Sequence, residues 1–190
     1  MTRCIVAFVC VVSLTCMPAF ADVREGNGEI GFDFGVTEFD SSSSNDSGVC
    51  GSIRGGYHFT DLFELEGQVL NTTSTDFHWA GLGGQDLTMT AVLVNAVFNF
   101  HPKKDTVVPY VLAGVGRVAA DVDLNLGLGA TYDDNAPAYQ AAAGARFFFG
   151  KNKRAAFRIE ASWLNEDSFD DSSTHTSFAG GFTWRIGSAG

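Results

Sequence analysis

Hydrophobic and polar residues alternate with a period of two in eight separate segments of this chain, all after residue 28. In the first segment, Ile30, Phe32 and Phe34 occupy positions of even parity, that is, even-numbered positions. Glu29 and Asp33 occupy odd-numbered positions. Because successive side chains of a β-strand point to opposite faces, each segment predicts a strand with one apolar and one polar face. The predicted strands are roughly 29–39, 48–59, 62–70, 88–100, 107–121, 138–149, 155–164 and 174–186.

The connections between these segments alternate in length. Those at 60–61, 101–106 and 150–154 are short, whereas those at 40–47, 71–87, 122–137 and 165–173 are longer and rich in Asp. An outer-membrane barrel shows this alternation, with short turns in the periplasm and long loops outside the cell. The pattern therefore predicts an all-β fold, an eight-stranded antiparallel up-and-down transmembrane β-barrel.

The N-terminal segment is typical of an export signal. Arg3 precedes an apolar run that ends at Met17, and Ala19-Phe20-Ala21 forms an A-x-A cleavage site. The run is shorter than the ~20 residues that a membrane-spanning helix needs, and the residues before Cys16 match a lipoprotein signal poorly. We predict a cleaved signal peptide at residues 1–21, an outer-membrane β-barrel domain at 22–190, and a location in the outer membrane of a Gram-negative cell.

Charge and cysteine content exclude some classes of protein. The formal net charge is −10, so the chain lacks the basic surface of a nucleic-acid-binding protein. Cys50 is the one cysteine outside the predicted signal peptide, so no disulfide is expected within the domain. No motif for a cofactor or a metal ion fits its required context, and we predict neither.

The polar faces of the strands distinguish a membrane barrel from a soluble lipocalin-type barrel, in which the charged face would be outside. Within the strands these faces carry five acids and five arginines, without lysine, among many small residues. Such a balance suits a narrow interior closed by ion pairs, because the forked guanidinium of arginine bonds carboxylates in pairs. The predicted interior network consists of Arg54, Glu64, Glu66, Arg117, Arg146, Arg158 and Glu160.

Aromatic residues on the apolar faces gather near the strand ends. Rings at these positions are typical of the aromatic girdles that mark the two membrane interfaces of a barrel. The predicted girdle includes Tyr57, Phe59, Tyr110, Phe149, Trp163 and Trp184.

Several motifs resemble one family. Val108-Pro109-Tyr110 followed by Gly114-Val115-Gly116 resembles the "PY-x-x-x-G-x-G" strand of the OmpA-like and opacity-type outer-membrane β-barrel domains. Residues 55–66 resemble their second hairpin, and residues 143–147 and 157–161 resemble their sixth and seventh strands. The resemblance covers the whole predicted domain and implies a small eight-stranded outer-membrane protein.

One segment resembles a catalytic motif. His175-Thr176-Ser177 has the His-x-Ser spacing of lipid A deacylases, but no acid follows it in the eighth strand, and both side chains share the interior parity. A catalytic Ser needs a His and an orienting acid within reach. We therefore predict no catalytic residues and no enzymatic activity.

The expected function is structural, with loops presented at the cell surface and the interior closed by Arg–Glu pairs. Two alternatives stay open: a loop-mediated adhesin of the opacity type, and a narrow OmpW-like channel for small solutes. A lipid A-modifying enzyme is the least favoured reading. Expected partners are outer-membrane lipids and lipopolysaccharide, the barrel-assembly machinery, periplasmic chaperones and a host or cell-surface ligand. We expect a monomer that binds no nucleic acid.

Overall fold

A computed structural model shows the fold and describes residues 26–41, 44–79, 82–100, 106–123, 131–150, 153–167 and 172–186. The predicted signal peptide lies outside the described residues. No helix in the described part of the chain is long and apolar enough to cross a membrane. The strands are β1 (Gly28–Ser41), β2 (Ser44–His58), β3 (Phe63–Trp79), β4 (Leu82–Asn99), β5 (Val107–Asp123), β6 (Thr131–Phe149), β7 (Ala155–Asp167) and β8 (Ser172–Ile186).

The eight strands form one closed antiparallel barrel. Each strand pairs with the next in the chain, and β8 pairs with β1. This confirms the predicted fold class. Partners followed from Ile30 of β1 across all eight ladders return to β1 at Asp40, ten residues further on. This offset corresponds to a strand tilt of about 40° and a backbone radius of about 8 Å, which leaves an interior that side chains can fill.

The apolar face of the sheet is on the outside. In β1, Phe32 and Phe34 are 48% and 69% exposed, whereas Glu29 and Asp33 are buried. A soluble barrel would show the reverse arrangement, because water would have to solvate its outer surface. The outer surface is therefore suited to contact with hydrocarbon.

The interior has two chemically different halves. We call the end with the β2–β3, β4–β5 and β6–β7 connections the turn end, and the opposite end the loop end. The half toward the turn end holds the buried acids and arginines described below. The half toward the loop end holds an apolar cluster, composed of Cys50, Leu70, Met89, Ala91, Leu93, Val118, Ala138 and Leu164.

Strands at the loop end extend well beyond their predicted limits. The expected loop at 71–87 is mostly a hairpin, in which β3 and β4 stay paired as far as Trp79 and Leu82. The pairing of β5 with β6 likewise continues to Asp123 and Thr131. These extensions are rich in Thr, Ser, Gly and Asp, and apart from Phe77 and Trp79 they carry little apolar alternation from which a strand could be predicted.

Candidate functional site in the barrel interior

Arg158 of β7 lies at the centre of the interior network and is completely buried. Its Nη1 donates a hydrogen bond of 2.7 Å to Glu66 of β3, and its Nη2 donates one of 2.6 Å to Glu160. Its Nε donates to the hydroxyl of Tyr110 in β5 at 2.6 Å. One guanidinium therefore holds three strands together across the interior.

Arg54 of β2 bonds to the same two carboxylates from the other side. Its Nη1 lies 2.9 Å from Oε1 of Glu66, and its Nη2 lies 2.6 Å from Oε1 of Glu160. Its Nε donates to Asp33 of β1 at 2.5 Å. Because Glu66 and Glu160 each bridge Arg54 and Arg158, the four side chains form a closed ring of charge-assisted hydrogen bonds.

Arg146 of β6 organises a second group nearer the turn end. Its Nη2 donates to Glu64 at 2.8 Å, and its Nη1 donates to the side-chain oxygen of Asn99 at 2.8 Å. Its Nε lies 3.2 Å from Glu29. The ring nitrogens of His58 lie 3.6 Å from Glu29 and 3.7 Å from Glu64, so the imidazole sits between two carboxylates.

Acids and bases in the interior nearly balance. The buried acids that the structure describes are Glu29, Asp33, Glu64, Glu66 and Glu160, and the buried arginines are Arg54, Arg146, Arg158 and Arg185. The guanidinium of Arg185 lies 4.1 Å from the centre of the Phe148 ring. Since an uncompensated buried charge is costly, this near-balance is the condition under which so many charges can stay inside a barrel.

Tyr110 lies inside the barrel, and its predicted place in the aromatic girdle is wrong. The side chain is 1% exposed, and Tyr110 pairs directly with Gly144 of β6. Residues opposite each other in a ladder share a face, and Gly144 shares its face with Arg146. A Cβ on Gly144 would collide with the Tyr110 hydroxyl, so the absence of a side chain there makes room for the phenol.

Arg117 lies outside the barrel, and its predicted place in the interior network is wrong. It is exposed, whereas the next residue, Val118, is 1% exposed and faces the interior. Both faces of β5 are apolar or small over most of its length, so the alternation in this strand did not determine which face is inside. Because Tyr110 points inward, the even-numbered residues of β5 face the interior, and Arg117 faces outward.

The structure places the other predicted interior residues together. Arg54, Glu64, Glu66, Arg146, Arg158 and Glu160 are all buried and belong to the two groups above. Among the predicted girdle residues other than Tyr110, each is 48–58% exposed on the outer surface: Tyr57, Phe59, Phe149, Trp163 and Trp184.

Besides Tyr110, four of the interior partners described above were missing from the predicted network. Glu29 and Asp33 have the parity of the polar face of β1, and His58 has the parity of Arg54 in β2. Asn99 has the inward parity of β4. The alternation alone could have indicated the inward position of Glu29, Asp33 and His58, although it could not show which side chain each one contacts. In β4 both faces are largely apolar, so it could not have indicated the inward position of Asn99.

The His-x-Ser segment also faces the interior, and it does have an acidic neighbour. Nε2 of His175 lies 3.3 Å from Glu166 of β7, which the β7–β8 register brings beside β8. This acid comes from β7; as expected, none follows the motif within β8. The Ser177 hydroxyl lies 2.8 Å from that of Thr37 and forms a hydrogen bond with it.

In the described part of the chain, no three His, Cys, Asp or Glu side chains are arranged to hold a metal ion.

Comparison with known proteins identifies related sequences and folds. The sequence model of a family described as "outer membrane protein beta-barrel domain" matches residues 7–185. No curated protein matches the chain. Among solved structures, Neisserial surface protein A is similar, with a TM-score of 0.71 and 14% identity over 85% of this chain and 100% of that one.

Two further solved structures are similar. OprG from Pseudomonas aeruginosa has a TM-score of 0.66 and 13% identity, over 88% of this chain and 99% of that one. Ail, the attachment invasion locus protein of Yersinia pestis, has a TM-score of 0.58 and 19% identity, over 86% of this chain and 100% of that one. Identities this low show a shared fold only.

Proposed function

This chain belongs to the family of outer membrane protein β-barrel domains, and from that premise we propose that it is a closed structural barrel that presents its loop-end hairpins at the cell surface. The turn end would then face the periplasm and the loop end the exterior, as in other barrels of this kind. The proposed role is structural and not catalytic.

The observation that carries this proposal is the ring formed by Arg54, Glu66, Arg158 and Glu160. It links β2, β3 and β7 directly, and Asp33 and Tyr110 attach β1 and β5 to it. In a barrel of about 8 Å backbone radius, side chains bonded across the interior leave little space for water. A solute could pass only if several charge-assisted hydrogen bonds opened together.

The second group supports the same interpretation. Arg146 bonds to both Glu64 and Asn99 one layer closer to the turn end. A solute that crossed the ring would therefore meet another set of buried ion pairs. Removing one partner from a buried pair leaves an uncompensated charge. Breaking the buried ion pairs one at a time therefore has a high cost in free energy.

Ion conductance in planar lipid bilayers tests the closed interior. We expect no stepwise conductance from the wild-type protein. We expect it from the variant Arg54→Ala/Arg146→Ala/Arg158→Ala, which removes the arginines of both the ring and the second group. Arg154→Ala, at an exposed position near the β6–β7 turn, is the matched control and should stay silent. Regular conductance steps from the wild-type protein would contradict a closed barrel and favour a narrow channel.

A second candidate function is attachment to a surface ligand, favoured by the extended hairpins. Paired strands reach Trp79 and Leu82 on one side and Asp123 and Thr131 on another, so the part beyond the membrane has a backbone ordered by hydrogen bonds. One structural neighbour is called an attachment invasion locus protein. Cells that display the wild-type protein should bind host surfaces better than cells in which residues 75–86 are replaced by a short turn.

Several partners are proposed on the same basis. The apolar outer surface would contact membrane lipids and lipopolysaccharide, and insertion would require the barrel-assembly machinery and periplasmic chaperones. We propose a monomer, because β1 and β8 satisfy each other and leave no open sheet edge for a second copy.

A further inference from the structure

Arg117 marks one edge of the apolar outer surface. The outward positions that precede it on β5 are apolar, from Val107 through Val111 to Val115. At about 3.3 Å per residue and a tilt of about 40°, the ten-residue span from Val107 to Arg117 rises about 25 Å. This equals the typical height of the lipid-facing band in outer-membrane barrels. The guanidinium therefore lies where hydrocarbon gives way to the lipid headgroups at the loop end.

The lipid-facing surface is recessed beside Arg117. The recess has a volume of about 540 Å³ and is lined by Val92 of β4, Val115 of β5 and Tyr139 of β6. These three side chains are 51–59% exposed. Pro137, the direct ladder partner of Arg117, forms part of the same wall. Apolar walls beneath a cation match a molecule that has a hydrocarbon chain and an anionic head.

Near Arg117, the described side chains of the two neighbouring strands include no outward-facing acid. Along β4 from residue 88 to 99 and along β6 from residue 137 to 149, none of the outward side chains that the structure describes is acidic. The nearby outward positions carry Thr90, Val92 and Tyr139 instead. On these stretches and along β5 from residue 107 to 119, Arg117 is therefore the one charged outward side chain that the structure describes.

We propose that Arg117 and the adjoining recess bind a phosphorylated glycolipid of the outer leaflet, with the phosphate on the guanidinium and one acyl chain against Val92, Val115 and Tyr139. The forked guanidinium bonds phosphate through paired hydrogen bonds. An arginine on the lipid face is tolerated best near the interface, where it reaches headgroups. The inference depends on the proposed orientation, with the loop end outside, and not on the closed interior.

Lipid binding to the purified full chain in detergent, measured by native mass spectrometry, tests this site. The probes are diphosphorylated lipid A, enzymatically dephosphorylated lipid A and phosphatidylglycerol. For Arg117→Gln we expect at least tenfold weaker binding of diphosphorylated lipid A, and for Arg117→Lys a smaller loss. Arg154→Gln, an exposed arginine at the opposite end of the barrel, should bind as the wild-type protein does. Heat-modifiable gel mobility confirms that each variant is folded.

The outcomes separate the alternatives. Equal binding by Arg117→Gln and the wild-type protein would overturn the site. An equal loss in Arg154→Gln would show non-specific attraction of anions and would also overturn it. If dephosphorylated lipid A bound as tightly as diphosphorylated lipid A, the phosphate would have no role in binding, which would overturn its proposed contact with the guanidinium. Equal affinity for phosphatidylglycerol would overturn the assignment to a glycolipid. None of these results depends on bilayer conductance, so the site and the closed interior can fail independently.

Discussion

The hydroxyl of Tyr110 donates a hydrogen bond of 2.7 Å to Oε2 of Glu160, two strands away. The same hydroxyl oxygen accepts a hydrogen bond from Nε of Arg158. Tyr110 thus completes the ring of ion pairs from a strand that contributes no charge to it. The guanidinium groups of Arg158 and Arg146 also lie over the aromatic ring of Tyr110. Their central carbons are 4.6 Å and 4.9 Å, respectively, from the ring centre.

Tyr110→Phe should destabilise the barrel. The substitution keeps the ring but removes one donor to Glu160 and one acceptor for Arg158, and both partners stay buried. Leaving buried polar groups unsatisfied costs about 1–3 kcal/mol. Urea unfolding in lipid vesicles, followed by tryptophan fluorescence, measures the change. Tyr139→Phe is the matched control, because Tyr139 is 51% exposed on the outer surface; an equal loss in both variants would contradict the interior role.

Arg146→Ala should lower the unfolding temperature. Glu64 would lose its hydrogen bond of 2.8 Å, and Glu29 would lose the guanidinium 3.2 Å away. Breaking a buried ion pair from one side costs about 3–5 kcal/mol. The temperature at which the folded gel band disappears gives a direct readout. Arg117→Ala removes an exposed arginine instead and should leave that temperature nearly unchanged. An unfolding temperature for Arg146→Ala equal to that of the wild-type protein would refute the structural role of Arg146.

Gly144→Ala should be destabilising, whereas Gly55→Ala should not. A Cβ at position 144 would meet the Tyr110 hydroxyl and the carbonyl oxygen of Ile159, but at position 55 it would meet no atom within 4 Å. Overpacking of a filled interior typically costs about 1–3 kcal/mol. Chemical denaturation of both variants under identical conditions gives the comparison. Similar midpoints for the two would show that Tyr110 can move away without cost.

Trp163 and Trp184 should both lie at a membrane interface, near opposite ends of the barrel. Trp184 is next to the turn end and Trp163 is nearer the loop end, and both are about half exposed. In variants that keep a single tryptophan, lipids brominated close to the headgroup should quench the fluorescence more strongly than lipids brominated near the chain terminus, because indoles favour the interface. Absence of quenching by either lipid would contradict a girdle position.

The fold was predictable because its main determinant is a strict two-residue period. The alternation in β1 already indicates both that the segment is a strand and which of its faces is inside. Phe32 and Phe34 lie on the outward face, and Glu29 and Asp33 lie on the inward face. The ends of β3 and β4 were not predictable in this way. Most residues of these strand ends are polar or Gly, so the hydrogen bonds of the ladder continue with little apolar signal in the sequence.

The interior site was predictable only where one face of a strand was distinctly polar. Arg54, Arg146 and Arg158 lie on such faces, and the structure places them inside. In β5, by contrast, the parity of Tyr110 and that of Arg117 are almost equally apolar. The deciding factor is Gly144 on the neighbouring strand, and the pairing of two residues 34 positions apart is not visible in the alternation of either strand.

Pairing of β1 with β8 makes the last strand of the barrel to be synthesised the partner of the first. A nascent chain that lacks residues 172–186 would have two unpaired backbone edges and an interior missing one wall. Long-range pairing of this kind delays the final step of folding, and exposed edges invite association between chains. A premature stop anywhere before β8 would therefore yield an aggregation-prone fragment and not a smaller working barrel.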